Sequence, residues 1–301
     1  MIYYEARNVK GKIYNYLVHN IRKGSKWKKI SKYIGKDKLS ELRVKKEIKK
    51  FKLELKKTKY LSNEQISKIE DIKKFFDDYI KKSGKLGAEK FEEWFYTELT
   101  YNSNAIEGNT LSLEETSLII NENIAPKGAT LREIYEAKNY KEAIEFLQKY
   151  EGDLDERLIL KIHFFILKNI ADSFAGKYRR TEVRIRGAEF KPAHAEIVPL
   201  MVTDLIKWYK KNKREMHPFE LAAVVSAKLV TIHPFIDGNG RVSRLIMNFL
   251  LKKAGYPEIN VYIKKRDSYL NYIKEANYEK YIKLINFLFE VYKENYSFLY
   301  N

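Results

Sequence analysis

The chain has 301 residues and a mass of 35.8 kDa, enough for about two domains and for a full apolar core without covalent staples. It has no cysteine, which excludes disulfide frameworks, thiolate metal sites and cysteine nucleophiles, and its five scattered histidines include no HExxH-type pair. The net charge of +18 is unevenly spread: residues 1–60 hold 20 Lys and Arg against 5 Asp and Glu, or +15, and the other 241 hold 38 against 35, or +3.

In chain order, Ile2 to Val9, Lys12 to Arg22 and Trp27 to Ile34 are rich in Tyr, Val and Ile with partial alternation, separated by Lys10-Gly11 and Lys23-Gly24-Ser25. The pattern predicts a three-stranded meander. Apolar positions at Leu39, Leu42, Val44, Ile48, Phe51 and Leu53 predict a helix over Lys36 to Lys59, and Leu61-Ser62-Asn63 starts another that runs to about Lys82. Beyond Ala88 helical period dominates, over about 88–105, 112–123, 130–150, 154–171, 196–213, 217–232 and 239–254, with two more helices in 265–298. Thr181 to Lys191 is β-favouring around Gly187 and reads as a short hairpin. The expected fold is mainly α: a helical bundle with a hairpin, preceded by a small basic β-meander and helix. The expected division is 1–60, 61–108 and 109–301.

No segment is long and apolar enough to span a bilayer, since Leu221 to Ile232 is broken by Ser226, Lys228 and Thr231. The N-terminal stretch MIYYEARNVKGK lacks an apolar signal core, and the expected location is cytoplasmic. A composition rich in Lys, Glu and Tyr fits a heat-adapted intracellular protein.

The chemistry concentrates in Thr231 to Arg244, TIHPFIDGNGRVSR. One helix ends near Ile232, His233-Pro234 turns the chain, and Gly238-Asn239-Gly240 leads into the next. Unpaired amides at a helix start, two of them on glycines, form an anion site, because the dipole there favours negative charge. Arg241 and Arg244, three apart, project from one side of the first turn and can clamp further phosphate oxygens. Asp237 at the edge of a phosphate site implies Mg²⁺ between the two. His233 is the proton acceptor with a pKa near working pH. Each residue alone would read as ordinary loop or packing, but the set at fixed offsets does not.

HPFIDGNGRVSR matches in full the HxFx(D/E)GNGRxxR signature of the Fic (filamentation induced by cAMP) family, and the chain resembles that family over roughly 88–298. The resemblance implies a Fic-type helical bundle that transfers AMP from ATP to a protein hydroxyl, with a target protein that can be the chain itself. It makes His233 the base, puts Mg²⁺ on Asp237, forms the anion hole from Gly238, Asn239 and Gly240, and sets Arg241 and Arg244 on the β and γ groups. Gly240 separates the chain from members that phosphorylate, which carry Lys there. GKYRRTEVRIRGAEFKP (Gly176 to Pro192) resembles the family's flap, which implies nucleotide or target contacts at Ile185, Arg186, Gly187 and Ala188. Tyr269 and Asn277 in AGYPEINVYIKKRDSYLNYIKEAN fall where some members contact adenine and ribose. Ser103-Asn104-Ala105-Ile106-Glu107-Gly108 matches the family's (S/T)xxxE(G/N) inhibitory motif, which implies that Glu107, with Ser103, engages Arg244 and holds back the γ-phosphate. Without the family that segment is a helix end with a Gly cap. Removal of AMP by the same site stays open.

His163 reads as core packing, and Trp27, Trp94 and Trp208 as packing anchors. The basic meander, with Tyr3, Tyr14, Tyr16, Trp27 and Tyr33 among its cations, suits nucleic-acid contact or equally a solubilising surface. A chain acting chiefly as a nucleic-acid-binding regulator with a non-catalytic core is the alternative class, and a homodimer stays open.

Overall fold

A computed structural model describes residues 2–23, 26–54, 58–184 and 190–300. Two compact units divide the chain: Met1–Lys57 with Arg214–His217, and Thr58–Lys213 with Pro218–Asn301.

In the first unit, β1 (Ile2–Val9), β2 (Lys12–Lys23) and β3 (Lys26–Lys36) form an antiparallel sheet in the order β1-β2-β3, followed by α1 (Glu41–Glu54). Lys10 and Gly11 both take positive φ, 52° and 77°, as a two-residue hairpin turn requires. Leu17, Ile34 and Phe51 form the core, with Ile2, Ile30, Leu39 and Ile48 packed on it. Asn15 is fully buried, and its amide donates to the carbonyls of Gly35 (3.0 Å) and Asp37 (2.6 Å), which covers the ladder where β2 and β3 slip register at Asn15/Tyr16.

Among the described residues of the second unit, all regular secondary structure is helical. Where the sequence predicts two helices, over 61–82 and 88–105, there is one kinked element, α2 (Asn63–Ile106), whose break is Gly84 (φ 64°, ψ −175°). A capping box between Ser62 and Gln65 starts it. The chain entering α2 is tied down by the buried carboxylate of Glu220, which accepts from the amides of Lys59 (3.1 Å), Tyr60 (2.8 Å) and Leu61 (2.7 Å).

There follow α3 (Leu113–Asn121), α4 (Leu131–Lys149), α5 (Glu156–Leu167), α6 (Val198–Asn212), α7 (Pro218–Ile232), α8 (Asn239–Lys253), α9 (Arg266–Ala276) and α10 (Ile282–Asn295). Boxes Ser112/Glu115 and Thr130/Glu133 cap α3 and α4. Helix α7 is apolar on nearly every face, and Leu221, Ala222, Ala223, Val224, Val225, Ala227 and Leu229 are all buried. A helix of that kind belongs at the centre of a bundle. It pairs with α8, so the loop joining them is anchored at both ends in the buried core of the unit.

The expected hairpin over Thr181 to Lys191 is not seen in the described residues, since Thr181–Arg184 and Phe190–Lys191 are not in strand. The Thr181 carbonyl is instead taken by Arg179 (3.2 Å). Ile185, Arg186, Gly187 and Ala188 lie outside the described residues. Trp27 and Trp94 are 68% and 50% exposed, not the packing anchors the sequence suggests. Among the described residues no helix is long and apolar enough to cross a membrane.

Candidate active site

The loop between α7 and α8 is built from its own side chains. His233 follows α7 with φ 51°, a left-handed turn that a non-glycine residue holds only when its surroundings fix it. Asn239 then closes the loop, accepting from the Phe235 amide (2.9 Å) and donating to the Phe235 carbonyl (2.9 Å). Gly238 caps α8 with φ 79°, and a Cβ there would meet Ile166 of α5 at 3.0 Å. A larger residue would therefore be strained twice over.

Beneath the loop lies His163. It is fully buried, and its ring stacks on Phe235 with centroids 3.6 Å apart. Its Nδ1 accepts from the Gly176 amide (3.1 Å), which leaves the proton on Nε2 facing the Asp237 carbonyl (3.3 Å). Burial lowers its pKa to about 4, against the opposing pull of the Asp237 carbonyl and carboxylate. It is a neutral structural histidine, as its apolar helix suggests.

His233 differs in its neighbours. Burial pushes its pKa below the usual imidazole range and the Arg179 charge pushes the same way, opposed by the Val230 carbonyl and by the carboxylates of Glu107 and Asp237. Near neutral pH it is an uncharged base.

Arg179 is a residue that the sequence reading overlooks. Its side chain is wholly buried, with Nε donating to the carbonyl of His233 (2.8 Å), Nη1 to Thr181 (3.2 Å) and Nη2 to Ala193. The nearest carboxylate, Glu182 at 3.9 Å, is exposed. One guanidinium thus ties the main chain at both ends of the 181–193 segment to that of His233. Tandem arginines after a glycine, Gly176-Lys177-Tyr178-Arg179-Arg180, were the only local signal.

The two arginines of α8 part company. Arg241, 2% exposed, lies 3.1 Å from Glu136 and 3.3 Å from Asp237. Arg132 completes this group, 3.2 Å from Glu136 and 2.9 Å from Asp237. Burial works against the ionised Asp237 carboxyl, yet Arg241, the Gly238 amide (2.6 Å) and Arg132 bring its pKa below the usual range. Arg132 and Glu136 sit on α4, and nothing near the motif announces them.

Arg244, three residues on, turns to α2. Its Nε donates to the Ser103 hydroxyl (2.8 Å), and Nη2 donates to the Ser103 carbonyl (2.8 Å) and the Glu107 carboxylate (2.7 Å). Burial would lower the pKa of Arg244, but Glu107 and the nearby phenols of Tyr269 and Tyr140 outweigh it and hold the guanidinium charged. The Glu107 carboxylate also lies over Gly240, where a Cβ would be 2.1 Å from Oε1. The acid therefore sits against the first turn of α8, where the helix dipole favours an anion.

Tyr269 is buried beside Arg244, with its ring stacked on Phe287 at 6.1 Å. Asn277, at the end of α9, accepts from the Thr231 hydroxyl (2.9 Å). Among the described residues no three metal-ligating side chains of His, Asp or Glu type converge. One partly exposed carboxylate, Asp237, stands beside the anion turn, and one carboxylate suffices for Mg²⁺ when phosphates and water complete its shell.

The comparisons fall on the same residues. Residues 153–251, from before α5 to the end of α8, match the Fic/DOC family. A protein adenylyltransferase Fic of Nematostella vectensis is 33% identical over 242 residues, 78% of this chain and 55% of that protein. One of Drosophila grimshawi is 35% identical over 187 residues, 60% of this chain and 38% of that protein. The chain thus spans about half the length of these relatives, or less. Among solved structures, a Fic domain containing signaling protein from Bacteroides thetaiotaomicron superposes with TM-score 0.68 at 27% identity, covering 76% of this chain and 95% of that one. Fic-1 of C. elegans superposes at 0.69 and 23% identity over 86% of this chain and 74% of that one, a likeness of fold. Motif, helical architecture and sequence likeness converge on the α5 to α8 region, and the chain carries a domain of the Fic/DOC family.

Proposed function

We propose that the chain is a Mg²⁺- and ATP-dependent protein adenylyltransferase held slow by Glu107. The supporting observation is the Glu107 carboxylate, paired with Arg244 at 2.7 Å and lying over Gly240, in the position that the motif suits to an anion. A target hydroxyl gives its proton to the neutral imidazole of His233 as its oxygen bonds to the α-phosphorus; the bond from that phosphorus to the bridging oxygen breaks, and pyrophosphate leaves. Asp237 would hold Mg²⁺, which when bound supplies charge neutralisation beside the phosphates. Arg241 and the amides of the first α8 turn steady the remaining charge. Arg244 can serve a γ-phosphate only when Glu107 gives it up.

Tyr269, beside Arg244, and Asn277, at the end of α9, belong to this reading as contacts of adenine and ribose, and Ile185, Arg186, Gly187 and Ala188 as contacts of nucleotide or target. The target is a protein hydroxyl, with the chain itself the simplest substrate, and self-modification can act within a homodimer. A cytoplasmic location belongs to this reading, carried by the sequence pattern alone.

The test is incubation with labelled ATP and Mg²⁺, reading label on the protein. Glu107→Gly should label faster than wild type and His233→Ala in that background should not label. Pre-labelled protein returned to wild-type enzyme tests the reverse reaction. A Glu107→Gly protein with Mg·ATP bound and no label on itself or on added protein would overturn the assignment.

A further inference from the structure

The unit formed by residues 2–54 has two unlike sheet faces. Register places Ile2 beside His19, Tyr4 beside Leu17, Leu17 beside Lys32 and His19 beside Ile30. This face carries Leu17 and packs with Ile34, Phe51 and Ile48. The opposite face holds three rows across β1, β2 and β3: Tyr3-Val18-Ser31, Glu5-Tyr16-Tyr33 and Arg7-Tyr14-Lys36. Four tyrosines and two of the basic residues therefore share one side.

Those side chains touch. The Tyr33 ring lies 5.6 Å from Tyr16 and 6.2 Å from Tyr14, Arg7 sits 4.2 Å over Tyr16, and Lys36 is 5.5 Å from the centre of Tyr14. Glu5, the carboxylate in these rows, is taken by Arg7 (3.0 Å) and Lys29 (3.1 Å). Val18 is buried, Tyr14 and Tyr16 are half-buried, and Tyr3 and Tyr33 are exposed, so rings are accessible on either side of Val18 and lie side by side at the end with Tyr14, Tyr16 and Tyr33. Tyr33 is 46% exposed and the Lys29 side chain 50%.

We infer that this end of the sheet binds single-stranded nucleic acid, with unpaired bases stacking at Tyr33 and its neighbours and Arg7, Lys29 and Lys36 meeting the backbone. Charge complementarity favours a polyanion, given +15 over residues 1–60. Contiguous rings favour one whose bases can be splayed out, because a duplex keeps its π-faces covered. At this end the same face adds one exposed aliphatic side chain, Val9, beside three tyrosines and the cations, which is less apolar surface than a lipid interface needs. The inference does not depend on AMP transfer.

The experiment is fluorescence anisotropy of the full chain with labelled oligouridylate and oligothymidylate of about 16 nucleotides. Binding should weaken with salt, with a log–log slope of about −0.7 for each phosphate contacted. Tyr33→Ala should lose roughly tenfold in affinity, the scale of one stacked base, while Tyr33→Phe keeps it. Arg7→Gln with Lys36→Gln should flatten the salt slope. The two oligomers distinguish RNA from DNA, and either one binding supports the inference. Absence of binding at about 50 mM salt, equal binding by Tyr33→Ala, or capture by anionic vesicles with neither oligomer bound would overturn it.

Discussion

The loop between α7 and α8 and the sheet of the first unit are both cation-rich, and they use cations in opposite ways. In the loop region Arg179, Arg241 and Arg244 are all but sealed from solvent, and each is fixed by named oxygens: three carbonyls, the carboxylates of Glu136 and Asp237, and Ser103 with Glu107. In the sheet Arg7 and Lys36 lie on tyrosine rings, and Lys45 of α1 is 77% exposed beside a still more open Glu41. Exposed pairs of that kind contribute little. Buried, hydrogen-bonded charges cost much to leave unpaired. A basic loop of the first kind is therefore a machine with one geometry, and a basic surface of the second kind is an adaptable contact.

The sharpest break in the comparison comes from His233→Ala. Loss of a positioned general base removes about 10²- to 10⁴-fold in rate, while Mg·ATP binding should stay, since no phosphate contact is lost. Label transfer and calorimetry on the one variant check both. Equal turnover would take His233 out of the chemistry.

Next in size is the release of Arg244. Glu107→Gly removes one charged contact of the ~1.5–3 kcal/mol class, so self-labelling should rise roughly one to two orders of magnitude. Adding Arg244→Ala should cancel the gain, because the benefit is the freed guanidinium. If Glu107→Gly alone brought no gain while His233 still proved essential, the 103–108 segment would be an ordinary helix end.

Smaller again is the effect of the α4 pair. Glu136→Gln leaves Arg241 with Asp237 alone, and the arginine should then turn toward the phosphates less precisely. Mg·ATP affinity should fall by up to about tenfold, less than the full worth of a charged contact because Asp237 still pairs with the guanidinium, and Asp237→Ala by at least as much. Unchanged affinity in both would place the anion site elsewhere.

These partners show what a sequence can and cannot give. The loop was readable because its cause is local: Gly238 needs its positive φ, Asn239 folds back on Phe235 four residues away, and Arg241 and Arg244 follow at helical spacing. The capping boxes of α2, α3 and α4 are equally local. Arg132, Glu136 and Arg179 were invisible because each meets the loop across 50 to 110 residues of chain, and no spacing rule carries that far. Arg241 and Arg244 were expected to act together, and only the packing of α4 on one side and α2 on the other separates them. Thr181 to Arg184 are strand-like in sequence but not in strand, and Arg179 takes the Thr181 carbonyl.

The smallest expected effect is the most diagnostic for Arg179, because it separates charge from scaffold. The positive guanidinium disfavours protonation of His233, so its removal should raise the His233 pKa. The base works in its neutral form. A higher pKa therefore moves the acid limb of the rate profile to higher pH, and activity is lost sooner as pH falls. Glu107 and Asp237 press the other way, and a Glu107→Gly background removes one of them, so the comparison belongs within that single background. Arg179→Met should shift the limb upward by less than about one pH unit, a fraction of the ~1.4 kcal/mol that one unit represents, and should also lower the plateau rate by loosening His233. Arg179→Lys keeps the charge but cannot reach three carbonyls at once, so it should restore the limb and leave the plateau low. A limb at the same pH in all three proteins would reduce Arg179 to a structural tie.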